Sequence, residues 1–342
     1  MKINSVFISN FRSLSDFSID LPQKLLIKGK TGSGKTSVLE ACFVLSSGRS
    51  FKTYDIKDCI SKDSQNFYIE SVFYDFEGYS RKVSIGYDRK GNKRIIIDGN
   101  VSSRKDLLNI AYPVVHSPDD MFIITGSPKF RRDFIDRICF VEDKSYFDDM
   151  SEYIRFIRNK NAALKDKNAE VVRYLNAAAV PLIDRIRKKR NVSCETINKK
   201  VEFLSEKLFS GMKIQFYCST DESCAEKLES RLEKELEKGF AIYGPHLDNI
   251  NITTEVGNAK NNISMGETYI SSFLIKLAEI SVYAEKDEYP IFLIDDIFVF
   301  VDDETKKILF KEVESLKNQT LMTSSIENTN NFSDIEVFYL SR

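Results

Sequence analysis

The sequence predicts an α/β protein in which a mixed sheet domain with an antiparallel β-subdomain is interrupted by a helical lobe. Three observations support this class. A glycine-rich loop at residues 29–36 separates an apolar strand from a helix, residues 66–98 alternate in polarity with a period near two, and residues 144–239 place charged and apolar residues at helical spacing. We therefore expect residues 1–143 and 240–342 to be the two parts of the sheet domain, with 144–239 as the inserted lobe.

The first third of the chain predicts strands around one helix. Residues 2–9, 15–21 and 24–28 are short alternating or apolar runs, and a helix is expected over residues 36–45. Residues 66–98 predict an antiparallel meander of three strands, because glycine-containing turn signals interrupt the alternation. The chain therefore begins with a strand, loop and helix unit, followed by an antiparallel subdomain.

The middle of the chain has a different character. Glycine and proline are rare over residues 144–239, which predicts two or three helices. A helix rises about 1.5 Å per residue, so a lobe of this length is compact and much shorter than a long coiled-coil arm. Residues 213–217 are a strand-like run within it. After residue 239 strand character returns, and residues 289–296 form an apolar run that ends in carboxylates, as a central buried strand does.

The glycine-rich loop carries the clearest chemical signal. Its residues fit the pattern G-x-x-x-x-G-K-[ST] and are Gly29, Lys30, Thr31, Gly32, Ser33, Gly34, Lys35 and Thr36. Glycines allow the backbone to curl, so that its N–H groups and the helix N-terminus converge on phosphate oxygens. Lys35 then reaches the β- and γ-phosphates of ATP, and Thr36 binds Mg²⁺. The alternative is a glycine-rich turn before an ordinary helix, but the strand before the loop favours the phosphate loop.

A phosphate loop of this kind needs an acidic partner at the end of a neighbouring strand. Asp295 and Asp296 follow the apolar residues 291–294. We expect Asp295 to act on the metal shell, and Asp296 to orient the attacking water or accept its proton. Asp296 and Lys35 are thus the catalytic candidates. Two aspartates after a strand are also a turn signal, yet the phosphate loop favours the catalytic interpretation.

A serine and a glycine, Ser264 and Gly266, precede a helical run at residues 269–283. On their own they are typical of a simple helix cap. Together with the phosphate loop and the acidic strand, they resemble the signature sequence of ABC-type ATPases, in which a helix N-terminus of one subunit closes over the γ-phosphate held by another. The three motifs indicate an ABC/SMC-type P-loop ATPase head.

The chain resembles the RecF family of SMC/ABC-type ATPases over essentially its whole length. The most specific stretch is residues 118–136, PDDMFIITGSPKFRRDFID, which is similar to the family pattern position by position. Other landmarks follow in the expected order, and these are Asn10-Phe11-Arg12, Leu39-Glu40-Ala41, the run GRSFKT at residues 48–53, and Gly244-Pro245-His246.

The resemblance implies a two-lobed protein that dimerises on ATP, binds double-stranded DNA near single-strand gaps, and works with RecO and RecR to load RecA. It also implies that Arg12 and Asp302 contribute to the nucleotide site. The chain departs from the family pattern at Glu267, where glutamine is usual, and at residues 299–301, where Val-Phe-Val replaces Ser-Glu-Leu. A further departure is Leu247, which replaces a basic residue. None of these touches the P-loop or the paired aspartates.

Candidate DNA contacts come from two basic stretches. Their members are Arg131, Arg132, Arg185, Arg187, Lys188, Lys189 and Arg190. Basic side chains of this density can lie along phosphates. The alternatives are a solvated helix face for residues 185–190 and ion pairing inside the lobe for the first two arginines.

Composition excludes several classes of protein. No apolar run approaches the length of a membrane span, and the N-terminus alternates in polarity instead of forming a signal peptide. The 6 cysteines include no C-x-x-C pair, which favours reduced thiols in the cytoplasm and leaves the 2 histidines without a zinc-ligand pattern. The net charge of -1 requires any DNA contact to use a local positive patch.

Two functions of different classes remain open at this point. One is a DNA-dependent ATPase with a slow, regulatory cycle that is controlled by dimerisation. The other is a nucleotide-switched interaction protein that hydrolyses ATP poorly and contacts DNA weakly, which Glu267 and the balanced charge favour. A nucleotide-binding subunit of a membrane transporter is disfavoured by the highly charged insert.

Overall fold

The computed structural model describes most of the chain. The described residues are 2–75, 77–209, 212–218, 223–254, 257–258, 263–297, 299–325 and 335–340. They form two compact units, of which the first comprises Met1–Asp120 with Tyr283–Arg342 and the second comprises Met121–Val282. The second unit extends beyond the predicted insert, residues 144–239, at both ends.

The first unit contains an antiparallel sheet with strand order β2-β1-β4-β5-β6-β7. Its strands are β1 (Lys2–Ser9), β2 (Phe17–Asp20), β4 (Asn66–Tyr74), β5 (Ser80–Asp88), β6 (Lys93–Ile97) and β7 (Asn100–Ser102). β4, β5 and β6 are the three strands of the predicted meander. Alternate side chains of β4 are buried, as expected for a sheet with one face on the core.

The first unit also contains a parallel sheet with strand order β14-β3-β13-β12-β8. Its strands are β3 (Lys24–Lys28), β8 (Pro113–His116), β12 (Ile291–Ile294), β13 (Thr320–Ser324) and β14 (Glu336–Tyr339). Every residue of β3, β12 and β13 is buried, which explains the unbroken apolar run of β12. Helices α1 (Lys35–Ser47), α2 (Arg104–Leu108) and α9 (Asp303–Ser315) belong to the same unit. The predicted mixed sheet is thus two sheets, one antiparallel and one parallel.

The second unit is mostly helical. Its helices are α3 (Phe122–Thr125), α4 (Pro128–Glu142), α5 (Tyr146–Lys165), α6 (Ala169–Leu208), α7 (Cys224–Lys238) and α8 (Met265–Ala284, whose last two residues fall in the first unit). A small antiparallel sheet pairs β9 (Ile214–Cys218) with β10 (Ile250–Thr254), which also pairs with β11 (Gly257–Asn258). The strand-like run in the insert is therefore part of a sheet. Within the described residues, no helix has the length and apolar character needed to cross a membrane.

Candidate nucleotide-binding site

The P-loop connects β3 to α1 through backbone conformations that require glycine. Gly32 and Gly34 have φ angles of 84° and 103°, in the left-handed region that a side chain disfavours. A Cβ on Gly29 would lie 2.5 Å from the Leu340 carbonyl oxygen, so this position also excludes a side chain. The loop therefore curls tightly before α1 begins at Lys35.

The inside of the loop is polar and suited to an anion. Lys35 is buried, and its ammonium donates to the carbonyl oxygens of Gly29 at 2.8 Å and Lys30 at 3.0 Å. The Ser33 hydroxyl is buried without a hydrogen-bond partner in the described part of the chain. A buried hydroxyl and a buried ammonium at a helix N-terminus match the chemistry of phosphate oxygens.

The P-loop meets the predicted acidic strand end directly. Thr36 Oγ1 donates to Asp295 Oδ1 at 2.7 Å, although the two residues are 259 positions apart in the chain. Thr323, on β13 between β3 and β12, donates from Oγ1 to the same carboxylate oxygen at 2.9 Å. Asp295 is buried, and these two hydroxyls fix its orientation.

Threonine and aspartate oxygens are ligands that suit Mg²⁺. The described residues contain no cluster of three or more His, Cys, Asp or Glu side chains that could hold a metal by themselves. Mg²⁺ is usually held by one or two carboxylates together with substrate phosphates. Thr36 and Asp295 are the residues that would hold it.

Asp296 is positioned by an unusual backbone conformation. Its φ angle is 49°, and its N–H donates to Thr323 Oγ1 at 2.8 Å. Burial and the neighbouring Asp295 raise the pKa of Asp296, whereas Lys35 and Lys52 act in the opposite direction. A carboxylate with a raised pKa is a stronger proton acceptor, which is the property that the predicted role requires.

Part of the P-loop and Asp296 line one cavity of the first unit, with a volume of about 610 Å³. Its lining contains the predicted residues Arg12, Thr31, Gly32, Gly34, Lys35, Thr36 and Asp296. It also contains Lys52, Lys62 and Ser325. The cavity therefore combines cations, hydroxyls and the two acidic residues Asp58 and Asp296 near the P-loop.

Arg12 is held in the cavity wall by α1. Its Nε and Nη2 donate to the two carboxylate oxygens of Glu40 at 2.9 and 2.7 Å, and its Nη1 donates to the Asp58 carbonyl oxygen at 2.7 Å. The hydrogen bond to Glu40 raises the pKa of Arg12 despite the partial burial of the guanidinium. A two-point contact of this kind fixes the guanidinium plane.

Sequence reasoning missed several members of the site. Thr323 orients both aspartates, Glu40 holds Arg12, and Lys52 Nζ lies 3.8 Å from Asp295 Oδ2. A signal for Thr323 exists in the sequence, since a threonine and two serines follow the apolar pair at residues 321–322. Polar residues at the carboxyl end of a buried parallel strand point to a shared site.

Ser264 and Gly266 lie in the second unit at the start of α8. The Ser264 hydroxyl accepts from the Glu267 N–H at 3.2 Å, and a Glu267 carboxylate oxygen accepts from the Ser264 N–H at 2.8 Å. This reciprocal arrangement is a capping box, for which glutamate serves as well as glutamine. The hydrogen bond from the Ser264 N–H lowers the pKa of Glu267. Asp302 is also a cap, since its carboxylate accepts from the Thr305 N–H at 2.8 Å at the start of α9.

Several of the predicted DNA-contact residues have partners inside the second unit. Arg131 and Arg190 are buried, and Arg190 pairs with Asp136 at 2.8 Å and Asp248 at 3.2 Å. Arg131 donates to main-chain carbonyls, including that of Gly126 at 3.0 Å. These two guanidiniums are structural, because burial and internal partners occupy them.

Most of the remaining basic residues of these stretches also have partners inside the second unit. Arg132 donates to the Asp248 carbonyl at 2.8 Å, Arg187 pairs with the Asp248 carboxylate at 2.6 Å, and Lys189 pairs with Asp149 at 2.7 Å. Arg185 is exposed but also faces Asp149, at 3.2 Å. Lys188 is exposed. Most of the positive charge predicted to meet DNA is balanced inside the second unit.

Comparison with known proteins shows which family the chain belongs to. The family profile of the RecF/RecN/SMC N terminal domain matches residues 2–339. The chain belongs to this family. The "DNA replication and repair protein RecF" of Caldanaerobacter subterraneus subsp. tengcongensis is 29% identical over 95% of this chain and 94% of its own. That of Tropheryma whipplei is 28% identical over 96% and 93%.

Solved structures of the same family agree with the fold. A structure described as the recombination mediator protein RecF with ATP, in the RecFOR pathway, has a TM-score of 0.84 and 28% identity, and the match covers 98% of this chain and 95% of that one. An Smc head bound to the C-winged helix domain of ScpA has a TM-score of 0.59 at 16% identity, which shows likeness of fold alone. The predicted ABC/SMC-type ATPase head and the resemblance to RecF are confirmed.

Proposed function

We propose that this RecF-type chain is an ATP-binding DNA-repair protein with a weak, regulatory ATPase activity. In this proposal it dimerises on ATP, binds double-stranded DNA near single-strand gaps, and assists RecO and RecR in loading RecA. The contact between Thr36 and Asp295 is the observation that carries the ATPase part, because it joins the P-loop to the acidic strand end beside the cavity that Thr36 and Asp296 line. A relative whose solved structure is described with ATP supports the choice of nucleotide.

Each residue of the cavity has a distinct task in the proposed cycle. Lys35 leaves its loop carbonyls to contact the β- and γ-phosphates, and Thr36 with Asp295 holds the metal. Bound Mg²⁺ supplies positive charge that polarises the phosphoryl oxygens. Asp296 accepts or orients the proton of the attacking water, which its raised pKa favours.

One observation favours the second candidate, a nucleotide-switched protein-interaction module with weak hydrolysis and weak DNA contact. Five of the predicted DNA-contact residues have partners inside the second unit, so they contribute little positive surface. These are Arg131, Arg132, Arg187, Lys189 and Arg190. ATP turnover of the purified chain, measured with and without gapped duplex DNA, separates the two. Stimulation by DNA supports the DNA-repair ATPase, whereas turnover that DNA leaves unchanged, together with no DNA binding, supports the interaction module.

Dimerisation provides a test of the signature assignment. In the proposed dimer, the start of α8 from one copy meets the γ-phosphate bound by the other. We expect Mg-ATP to convert the monomer into a dimer and ADP to leave it monomeric. Ser264→Arg should prevent the conversion by steric clash. Light scattering measures the mass in each case. The variant should still bind ATP with normal affinity, because its own P-loop is intact.

Two further variants control for the lost helix cap. Ser264→Ala removes the cap, at a cost of about 1 kcal/mol, without adding bulk. Ser223→Arg adds the same bulk at an exposed helix start where the side chain makes no capping hydrogen bond. We expect Ser223→Arg to dimerise normally and Ser264→Ala to dimerise better than Ser264→Arg. An equal mass for wild type with ATP, wild type with ADP and Ser264→Arg would refute the ATP-gated dimer.

A further inference from the structure

The internal pairing of the predicted basic residues raises the question of where DNA could bind. A chain with a net charge of -1 needs a local positive surface to attract a polyanion. Residues 48–53 carry one of the motifs that resemble the RecF family, and Lys52 is the only one of them that lines the nucleotide cavity. Arg49 of this motif lies outside that cavity in the first unit.

Two basic side chains converge near the C-terminal end of α1, and a third basic residue, Arg49, lies next to that end in the chain. Arg49 follows the cap residue Gly48, Lys93 begins β6, and Arg104 begins α2. The Lys93 ammonium donates to the Gly48 carbonyl oxygen, and Arg104 Nε donates to the Ser47 carbonyl oxygen at 2.8 Å. A Cβ on Gly48 would lie 3.1 Å from Lys93 Nζ and 3.5 Å from Arg104 Cγ, so both side chains converge over this glycine. We call Arg49, Lys93 and Arg104 the basic cluster.

The basic cluster has more positive charge than its surroundings balance. No carboxylate among the described residues pairs with any of the three side chains. The C-terminal end of a helix supplies about half a negative charge, against three cations. Burial, followed by the charges of Arg104 and Arg49, lowers the pKa of Lys93, and burial followed by Arg49 lowers the pKa of Arg104 to about 10. The cations therefore repel one another, and an anion would relieve that repulsion.

The basic cluster also has hydrogen-bond donors to spare. Capping α1 uses one donor of Lys93 and one of Arg104. Within the described structure, the two terminal nitrogens of Arg104 and the whole guanidinium of Arg49 make no hydrogen bond. Helix capping thus accounts for part of the arrangement and leaves Arg49 unexplained. Guanidinium groups present paired donors that match phosphate oxygens.

The surroundings favour a long anion over a small one. Arg49 is exposed, the partly buried Lys93 keeps part of its side chain in solvent, and both lie outside the nucleotide cavity. A further cation, Lys57, lies at the turn before β6, where its Nζ is 3.9 Å from the position of a Cβ on Gly91. Cations spread over an exposed surface suit a nucleic-acid backbone, which presents phosphates at regular intervals.

We propose that the basic cluster binds a phosphate of the DNA backbone. This inference rests on the proposed function, in which the chain binds duplex DNA. The cluster then positions the duplex without reading its sequence, since phosphate contacts carry no direct base information. It also places a DNA contact at the C-terminal end of α1, the helix that begins at the P-loop.

Fluorescence anisotropy of the full chain with Mg-ATP and gapped duplex DNA, over a range of salt concentrations, tests the proposal. Arg49→Gln should weaken DNA binding about three- to tenfold and reduce the slope of log affinity against log salt by about 1. The triple variant Arg49→Gln, Lys93→Gln, Arg104→Gln should reduce the slope by about 2 to 3. Arg81→Gln is the matched control, since Arg81 is exposed on β5 but pairs with Asp98, and its slope should equal that of wild type.

Two further measurements make each outcome decisive. ATP affinity should be unchanged in Arg49→Gln, whose side chain caps no helix, and this shows that the first unit is folded. Thermal stabilisation by inorganic phosphate alone is compared in wild type and the triple variant. If the triple variant loses this stabilisation but keeps the DNA salt slope, the cluster binds small phosphates and the DNA contact is refuted. If wild type binds DNA and every variant has the wild-type salt slope, the DNA contact of the basic cluster is refuted but the proposed function is not. If wild type binds no DNA, the proposed function is refuted.

Discussion

Lys35→Ala is expected to weaken Mg-ATP binding by about 10- to 100-fold, with the fold retained. The lysine ammonium lies buried within the P-loop, where it donates to the Gly29 and Lys30 carbonyls. Hydrogen bonds to charged groups are worth about 1.5 to 3 kcal/mol, and alanine removes both the charge and the donors. Titration calorimetry with the non-hydrolysed nucleotide measures the loss, and circular dichroism checks the fold.

A matched lysine outside the cavity provides the control for this result. Lys82 is exposed on β5 and pairs with Glu70 at 3.0 Å. Lys82→Ala should therefore bind ATP as wild type does. If Lys35→Ala also kept the wild-type affinity, the P-loop would not be the nucleotide site of this chain.

Asp296→Asn is expected to slow ATP hydrolysis by about 100-fold or more while leaving ATP bound. General-base groups contribute about 10²- to 10⁴-fold, and the amide cannot accept a proton. Asp295→Asn should differ in kind, because this carboxylate contacts Thr36 and would hold the metal. It should raise the Mg²⁺ concentration needed for half-maximal ATP binding. Steady-state turnover and Mg²⁺ titrations distinguish the two variants.

Asp303→Asn supplies the control for the carboxylates. Asp303 is exposed at the start of α9, where it pairs with Lys306 at 2.8 Å, and it does not line the cavity. Its replacement should leave both turnover and metal dependence unchanged. Normal turnover in Asp296→Asn would exclude this residue as the group that activates water.

The parts of the site that the sequence predicts are those with local causes. A few neighbouring residues are enough to indicate each of these parts. They are the glycines that adopt positive φ, the lysine at a helix start, and the carboxylates at the end of a buried strand. Thr36 and Asp295 could be paired from sequence because the carboxyl ends of parallel strands share one edge of a sheet. Local patterns therefore gave most of the P-loop and the acidic strand end.

The parts that the sequence does not predict depend on distant partners. Arg190 appears as one member of a basic run, yet its carboxylate partners Asp136 and Asp248 are 54 and 58 positions away. A charge pattern along one helix cannot reveal such partners, so a buried ion pair and a solvated basic face look alike. The same limit applies to Thr323 beside Asp295, 28 positions apart, and to the boundaries of the second unit.

The strand order of the parallel sheet has a consequence for how the protein is made. β3, which leads into the P-loop, has β13 and β14 as its two neighbours, and both come from the last part of the chain. During synthesis from the N-terminus, the P-loop strand stays unpaired until that part has left the ribosome. The second unit is one continuous segment, Met121–Val282, and is complete much earlier. A chain released after residue 319 should therefore contain a protease-resistant second unit and bind no ATP. An interrupted product would then be unable to bind the nucleotide. ATP binding by that fragment would show that β3 folds without its neighbours.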